Sequence, residues 1–278
     1  MNKINERPRI DKGSVFCLIA VAFLAILVLF GDKLAPYDPT QIDMSSKFAP
    51  ISAEHLLGAD YLGRDVFSRI IIGAKSTIVT STVILVIALV IGVFLGLLAG
   101  YVGGKLDWLV MRLVDIAMIF PDYIMAMLIA GILGGGMKNL VLATVIVKWF
   151  PYCKIARSII LDEKQKEYVV LARMNGMPVI GILFKHLFPY VLGSISALAI
   201  VDIGKIILLI ASLSYLGLGF QPPTPEWGAM LNEGRDYFMT QPQMMVYPGL
   251  AICITVFIFN IIGSYISKKY TVRDKAGE

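Results

Sequence analysis

Charged residues are scarce in this chain. Asp, Glu, Lys and Arg make up 16% of its 278 residues, whereas soluble domains carry about 25%. The mean hydropathy is +0.76, and 57% of the residues are hydrophobic. This composition excludes an ordinary soluble domain and indicates an integral membrane protein, in which spans of about 20 residues use most of the chain. Little length is left for a separate catalytic domain.

Residues that commonly carry catalysis or bind metals are also few. The chain has two histidines, His55 and His186, and three cysteines, Cys17, Cys153 and Cys253. The cysteines form neither a CxxC pair nor a cluster with histidine, so we interpret them as packing residues. Without a Ser-His-Asp set or a metal-ligand spacing, the sequence predicts no catalytic, cofactor-binding or metal-binding residue.

A nucleotide-binding loop is missing as well. Gly103-Gly104-Lys105 superficially matches the end of a phosphate-binding loop. However, Ala99 replaces the first glycine, and Leu106 replaces the Ser or Thr that would bind magnesium. We therefore expect the chain itself to bind no cofactor. An ATP-driven transporter of this kind would need its ATPase on other subunits.

Six apolar runs predict six transmembrane helices. The predicted spans are 13–31, 76–104, 108–133, 139–152, 190–216 and 246–267. No small-x-small cleavage site follows the first span, so we interpret it as a retained helix. The fourth is short and contains Lys148, so its bounds are the hardest to place. Gly92, Gly96 and Gly100 lie on one face of the second span, where another helix can approach closely.

Lysine and arginine residues predict the orientation. With the N-terminus inside, most of them fall in cytoplasmic segments, and the outer segments hold only Lys33, Lys47, Arg64, Arg69, Lys75, Lys138 and Arg235. This positive-inside bias predicts cytoplasmic tails at 1–12 and 268–278, a first helix at 13–31, an extracytoplasmic segment at 32–75 and a five-helix core at 76–267. The core includes a cytoplasmic loop at 154–189 and an extracytoplasmic loop at 217–245. The same distribution accounts for the net charge of +5, so no nucleic-acid partner is predicted.

The cytoplasmic loop contains a distinctive pattern around Gly176. Residues 162–173 can form a short helix, which Gly176-Met177-Pro178 must break. A second helix can follow at 179–187. Two short helices around a glycine turn would give a rigid knob that can seat in the cleft of a partner. The alternative is a solvated basic loop that only maintains the positive-inside balance.

This pattern resembles the cytoplasmic coupling loop of bacterial ABC-importer permeases, which is Glu-Ala-Ala, three residues, Gly, and a spacer that ends in Leu-Pro. Ala172, Gly176 and Pro189 match it. Val170 and Leu171 stand where the family commonly has Glu and Ala, and Phe replaces the Leu before the proline. The resemblance implies an ATPase-coupling loop that comprises Val170, Leu171, Ala172, Gly176, Met177 and Pro189.

Two predicted outer segments extend the resemblance. Residues 55–69 and 213–231, with further matches at 233–235 and 248–250, resemble one of the two permeases of the dipeptide/oligopeptide/nickel importer family. Together the matches extend from about residue 36 to residue 263. Asp60, Arg64 and Asp65 can pair within the first segment, so it can be a structural hairpin. The second, rich in Pro and Gly, predicts an irregular loop with Trp227 at the membrane interface. It can serve as a gate near the pore mouth or as a cap over helix ends.

The resemblance implies an all-α integral membrane protein with six transmembrane helices and the type I ABC-importer permease fold. It also implies a second homologous permease, two cytoplasmic ATPase subunits that bind ATP and magnesium, an extracytoplasmic solute-binding protein, and the bacterial inner membrane. Peptide-transporting members often have Glu-Ala where this chain has Ile210-Ala211. Residues 201–207 and 240–242 are more similar to the nickel or metal-chelate branch. The substrate stays open among nickel, another metal chelate and a di- or oligopeptide.

We single out four ionisable residues of the predicted spans: Asp122, Lys148, Asp202 and Lys205. Such residues are costly in a bilayer and often mark functional sites. Asp202 and Lys205 fall on one helix face, where they can neutralise each other. Asp122, Asp202 and Lys205 are thus candidates for the translocation path, with a purely structural polar contact as the alternative.

Two other classes of function are alternatives to the permease. A self-sufficient secondary transporter or channel could use the same three residues as an ion relay. Such transporters usually show repeated halves with broken helices, and the sequence shows no repeat. A membrane-embedded enzyme would require a convergent catalytic set, which the sequence lacks.

Overall fold

The computed structural model describes the backbone of residues 12–277 and the side chains of residues 13–268. Within that part, the chain is helical. Its helices are α1 (Lys12–Leu34), α2 (Val66–Val102), α3 (Gly104–Ala117), α4 (Asp122–Leu133), α5 (Met137–Glu163), α6 (Glu167–Met174), α7 (Val179–Ile182), α8 (Phe188–Tyr215), α9 (Trp227–Gly234) and α10 (Gln243–Gly277). A π-helical turn, Leu183–Leu187, joins α7 to α8, and short 3-10 turns lie at Met44–Ser46 and Arg235–Tyr237. The predicted all-α class is confirmed.

Five helices among the described residues are long and apolar enough to cross a membrane: Gly13–Leu34, Val66–Val102, Met137–Glu163, Val179–Tyr215 and Gln243–Lys268. The predicted span 108–133 is not one straight helix, because α3 and α4 are bent by 91° at the break between them. Pro121 has extended dihedrals there and lacks the N–H that would continue α3. The apolar composition runs through this break, so hydropathy did not reveal it. Counting the bent pair as one span gives six.

α2 and α5 extend beyond the predicted spans. α2 begins ten residues earlier than predicted (76 − 66), at Val66, where Asp65 caps it by accepting a hydrogen bond from the Ser68 N–H at 2.7 Å. α5 continues to Glu163, although Pro151 lies inside it. Its polar second half pairs with α3: Lys154 with Asp115 at 2.8 Å and Arg157 with Asp107 at 2.5 Å. Because these side chains have partners, the helix need not end where its apolar run ends.

The glycine face of α2 packs directly on α5. A Cβ atom on Gly92 would lie 2.5 Å from the Trp149 carbonyl oxygen, and one on Gly96 would lie 2.5 Å from that of Cys153. Real Cβ atoms do not approach so closely, so only glycine permits this contact. The predicted close approach of a second helix to this face is confirmed, and the contact fixes α5 beside α2 at the centre of the bundle.

Candidate functional site

The segment after α5 is helical on both sides of a turn, as predicted, but the bounds of its helices differ from the prediction. The predicted helix 162–173 is divided, since α5 ends at Glu163 and α6 begins at Glu167. Gly176 has φ +75°, the left-handed conformation that glycine adopts without strain. The Met177 N–H donates to the Ala172 carbonyl at 3.1 Å across this turn, which closes the end of α6. We call residues 164–182 the knob.

The knob exposes an apolar surface. Leu171 is 56% exposed, Met174 78% and Ile180 70%. Exposed apolar groups clustered on a short segment are typical of a protein–protein contact. The coupling-loop resemblance included Leu171 but missed Met174 and Ile180, whose exposure depends on how α6 and α7 fold back on each other.

The other predicted coupling residues have different environments. Val170 and Gly176 are exposed, whereas Ala172 is buried and Met177 packs against the main apolar core. Pro189 is exposed and lies in the first turn of α8. A contact through this segment would therefore use Val170 and Leu171 directly, and Ala172 would hold α6 in place.

A buried carboxylate attaches the knob to α5. The Tyr168 hydroxyl donates to Glu163 at 2.5 Å, and Lys166 pairs with the same carboxylate at 2.5 Å. The Glu163 side chain is only 4% exposed. Burial, and then the hydrogen bond to Glu163, raises the pKa of Tyr168 above its ordinary value. The phenol therefore remains a donor at neutral pH, and the start of α6 stays fixed to the end of α5.

The predicted second short helix, 179–187, is not a separate element. α7, the π turn and α8 form one continuous helix, Val179–Tyr215. The Phe188 N–H donates to Leu183 five residues earlier, which is the wider bonding pattern of a π turn. Pro189 cannot donate a backbone hydrogen bond, and the π turn accommodates this without ending the helix. The knob is thus joined directly to a membrane-spanning helix.

The four ionisable residues singled out in the sequence form two groups beside α5. The Lys148 ammonium lies 2.6 Å from the Asp122 carboxylate, across α5 and α4. The Lys205 ammonium lies 2.7 Å from Asp202, and the Tyr152 hydroxyl donates to the same carboxylate at 2.6 Å. Lys148 and Tyr152 are one helical turn apart on α5, so both groups lie on the same side of it. We call these five residues the polar track.

The polar track is balanced in charge and partly exposed. It contains two carboxylates and two ammonium groups. The Lys205 side chain is 59% exposed and that of Asp122 is 43%, whereas those of Lys148 and Asp202 are 11% and 15%. The predicted pairing of Asp202 with Lys205 is confirmed. The roles of Lys148 and Tyr152 were missed, because they depend on which helices neighbour α5.

A second buried cluster of charges lies at the N-terminal end of α2. Arg64 pairs with Asp60 at 2.6 Å and also with Glu233. Arg69 pairs with Glu233 at 3.0 Å and donates to the Pro39 carbonyl at 3.1 Å. All four charged side chains are at most 8% exposed. This cluster ties residues 36–65 to α9.

The structure corrects the predicted pairing in this hairpin. Arg64 does pair with Asp60, but Asp65 instead caps α2 and lies 3.0 Å from His55. Arg69 and Glu233 were not predicted to take part. Glu233 is distant in sequence, and only the packing of α9 against α2 brings it to the two arginines.

The segment 217–245 is less irregular than predicted, since it contains α9. Trp227 is 2% exposed and donates from its indole N–H to the Ile70 carbonyl at 3.0 Å, so its side chain packs inside the protein. Its place at the membrane interface stays a prediction. Glu226 caps α9 by accepting from the Gly228 and Ala229 N–H groups at 3.0 and 2.9 Å. Burial raises the pKa of Glu226. These contacts pack the start of α9 against α2, as a cap over helix ends would, and the alternative role as a gate stays a prediction.

In the part of the chain that the structure describes, no group of three or more His, Cys, Asp and Glu residues could hold a metal ion. The candidate site is therefore an exposed knob joined to a membrane-spanning helix, with a charge-balanced track at mid-span. A multi-span all-α chain with these features has the architecture of a membrane transport permease.

Comparison with known proteins gives the family. The sequence model described as "Binding-protein-dependent transport system inner membrane component" matches residues 92–272. A second model, the "N-terminal TM domain of oligopeptide transport permease C", matches residues 9–50. The chain belongs to the family of inner-membrane permease components of binding-protein-dependent transport systems.

Two bacterial relatives cover almost the whole chain. The nickel transport system permease protein NikC of Escherichia coli (strain K12) is 38% identical over 246 residues, which are 88% of this chain and 89% of the relative. The metal-staphylopine import system permease protein CntC of Staphylococcus aureus (strain Mu50) is 38% identical over 252 residues, which are 91% and 87% of the two chains. The resemblance to the dipeptide/oligopeptide/nickel family is confirmed.

Family membership places this chain among the transport subunits of the inner membrane. It implies partners that bind the solute and hydrolyse ATP. The permease interpretation is thereby favoured over a self-sufficient secondary transporter or channel.

Proposed function

We propose that this chain forms half of the pore of an ATP-driven importer for a metal chelate. The observation that carries the proposal is the similarity, over almost the whole chain, to permeases of a nickel system and of a metal-staphylopine system. The second half of the pore would be a homologous permease. Two cytoplasmic ATPase subunits would bind ATP and magnesium, and an extracytoplasmic protein would deliver the solute.

The knob would couple ATP hydrolysis to transport. Its exposed Leu171, Met174 and Ile180 supply an apolar contact for an ATPase cleft. Its turn at Gly176 fixes the angle between α6 and α7. Because α7 continues into α8, a displacement of the knob would move a membrane-spanning helix that carries Asp202 and Lys205. Closure of the ATPases could thus switch the pore from inward-open to outward-open.

The polar track would line the translocation path. A bare divalent cation would meet two ammonium groups there, and both carboxylates of the polar track are already paired with those ammonium groups. A chelate brings its own metal ligands and presents carboxylates and amines to the pore. Such a zwitterionic surface suits alternating Asp and Lys side chains. Asp122, Asp202 and Lys205 are the proposed path residues, and we add Lys148 and Tyr152 to them.

The test is uptake by proteoliposomes that contain the assembled importer. We expect ATP-dependent uptake of a radiolabelled nickel chelate delivered by the binding protein, with less uptake of free nickel ion or of a labelled dipeptide. The double variant Asp202→Leu with Lys205→Leu should assemble normally but lose most chelate uptake. Dipeptide uptake above chelate uptake would refute the proposed substrate class, and uptake without ATP would refute the importer itself.

The proposed orientation has both termini in the cytoplasm, and it can be tested separately. Gln165 and Glu54 are exposed on opposite sides of the predicted membrane. In intact cells, a membrane-impermeant thiol reagent should label Glu54→Cys and leave Gln165→Cys unlabelled until the cells are opened. The reverse labelling would overturn the orientation and the cytoplasmic position of the knob.

A further inference from the structure

An apolar groove runs along the second half of α2, between α2, the π turn and the start of α8. Its volume is about 260 Å³, and its lining includes Val93, Leu97, Phe184, Phe188 and Leu192. Val90, Phe94 and Phe184, which also line it, are 63%, 54% and 59% exposed. The groove is therefore open along one side of the described structure, and every residue that lines it is apolar.

The π turn builds one wall of this groove. It places the rings of Phe184 and Phe188 with their centroids 5.9 Å apart. Both rings belong to the connection between the knob and α8. A molecule seated in the groove would thus contact the segment through which the proposed coupling movement passes.

Two cations are close neighbours of residues that line the groove. Tyr101 is one helical turn beyond Leu97 on α2 and lies on the same side of the helix. The Arg173 guanidinium lies over the Tyr101 ring, 5.7 Å from its centroid. Lys185 directly follows Phe184 and is exposed. Neither Arg173 nor Lys185 forms an ion pair with a residue whose side chain the structure describes.

We propose that the groove holds an acyl chain of an anionic phospholipid, with Arg173 and Lys185 at the phosphate of its headgroup. Pockets for whole drug-sized ligands measure roughly 300–1,000 Å³, so this smaller groove suits one chain. The proposal rests on the proposed orientation, which puts this end of α2 at the cytoplasmic leaflet. That leaflet carries anionic lipids, which basic residues near its surface attract.

The charge pattern distinguishes a lipid from a protein helix as the occupant. A transmembrane helix of another subunit would fill the apolar part of the groove, but it would have to supply its own carboxylates to pair with both cations. A phospholipid satisfies both ends, because its chain is apolar and its phosphate lies at the depth of the membrane surface. The chain would steady Phe184, and the importer would work best with anionic lipid present.

The experiment uses the assembled importer in proteoliposomes of phosphatidylcholine that contain a trace of photoactivatable lipid. The probes are phosphatidylglycerol and phosphatidylcholine, each with a diazirine on one acyl chain. Peptide mapping should find residues 89–97 and 184–192 labelled several-fold more by phosphatidylglycerol. The double variant Arg173→Gln with Lys185→Gln should lower that label to the level given by phosphatidylcholine, since the two cations supply the preference for the anionic headgroup.

Two control variants test whether the labelling is specific to the groove and to its two cations. Arg112→Gln removes an exposed cation of α3 and should leave the labelling unchanged. Leu97→Trp, which fills the groove, should reduce labelling by both lipids. Equal labelling by the two lipids in the unmodified protein would overturn the proposed headgroup contact. Absence of label from the groove, or cross-linking of Phe94→Cys to the second permease, would overturn the lipid site.

ATP-dependent uptake is measured in the same proteoliposomes, which separates this inference from the proposed function. Normal chelate uptake with an unlabelled groove would refute only the lipid site. A labelled groove in vesicles that take up no chelate would support the lipid site and count against the proposed substrate.

Discussion

The buried charge cluster at the start of α2 makes a sharp prediction about Glu233. Its carboxylate contacts both Arg64 and Arg69, whose side chains are each 1% exposed. In Glu233→Gln, two buried guanidinium groups would share only the Asp60 carboxylate. Breaking a buried ion pair by removing one partner costs about 3–5 kcal/mol, because the remaining charge is left uncompensated. We expect a loss of this size in the free energy of unfolding.

The ion pair between Lys75 and Asp32 provides a matched control. It is also close, at 2.5 Å, but its side chains are 43% and 63% exposed. Exposed pairs contribute about 0–1 kcal/mol, because water and salt screen them. Asp32→Asn, like Glu233→Gln, removes one carboxylate that pairs with a cation of α2. The difference between the two variants thus isolates the effect of burial.

The assay is equilibrium denaturation of the purified subunit in mixed micelles, followed by tryptophan fluorescence. Trp227 begins α9, which carries Glu233, and its indole bonds the carbonyl of Ile70 next to Arg69, so it provides a local signal. Adding Arg69→Met to Glu233→Gln should recover part of the loss, since one arginine then faces one carboxylate. Recovery should be incomplete, because Arg69 also bonds the Pro39 carbonyl. Equal losses in Glu233→Gln and Asp32→Asn would refute the reasoning.

Three further predictions follow from single positions. In the knob, Gly176→Val should lower coupled uptake and ATP hydrolysis, because a β-branched residue resists the φ of +75°. Gly176→Asn, which tolerates that conformation, should retain most of both activities. Normal uptake in Gly176→Val would contradict the coupling role. Between α2 and α5, Gly96→Ala should lower the free energy of unfolding by about 1–3 kcal/mol through overpacking. Gly131→Ala, with no atom within 4 Å of its new Cβ, should cost nothing. Equal effects of the two variants would argue against the close packing. At Glu226, the pKa of the carboxyl is raised in the folded state. The protonated carboxyl therefore stabilises the fold fully below the unfolded pKa of about 4.3. This stabilisation is lost as the pH rises through the folded pKa. The stability of Glu226→Gln relative to the unmodified protein should therefore improve from pH 4 to pH 7, and a constant difference would refute the shift.

Local features of the chain were largely predictable from sequence. The apolar runs gave the helices of the membrane, since each run must satisfy its backbone internally in lipid. The turn at Gly176 and the glycine face of α2 followed from the conformational freedom and small size of glycine. The pairing of Asp202 with Lys205 followed from their spacing on one helix. All three depend on residues that are close in the chain.

Features that depend on polar partners from distant segments were not predictable. The apolar run of α5 ends near residue 152, but the helix continues because α3 supplies carboxylates to Lys154 and Arg157. Hydropathy registers those two residues only as polar, and so it placed the end of the span too early. Glu233 was missed for the same reason, since its two partners belong to α2 and the hairpin before it.

The polar track combines a contact that the sequence predicts with contacts that depend on distant segments. Its Asp202–Lys205 pair follows from sequence, but Tyr152 and Lys148 connect that pair to Asp122 only because α5 lies between α4 and α8. The glycine face of α2 fixes the position of α5 by permitting contact with its backbone. A side chain at Gly92 or Gly96 would push α5 outward and separate Tyr152 from Asp202. The uncharged glycines of α2 therefore hold the charged groups of the proposed path in place, although they touch none of them.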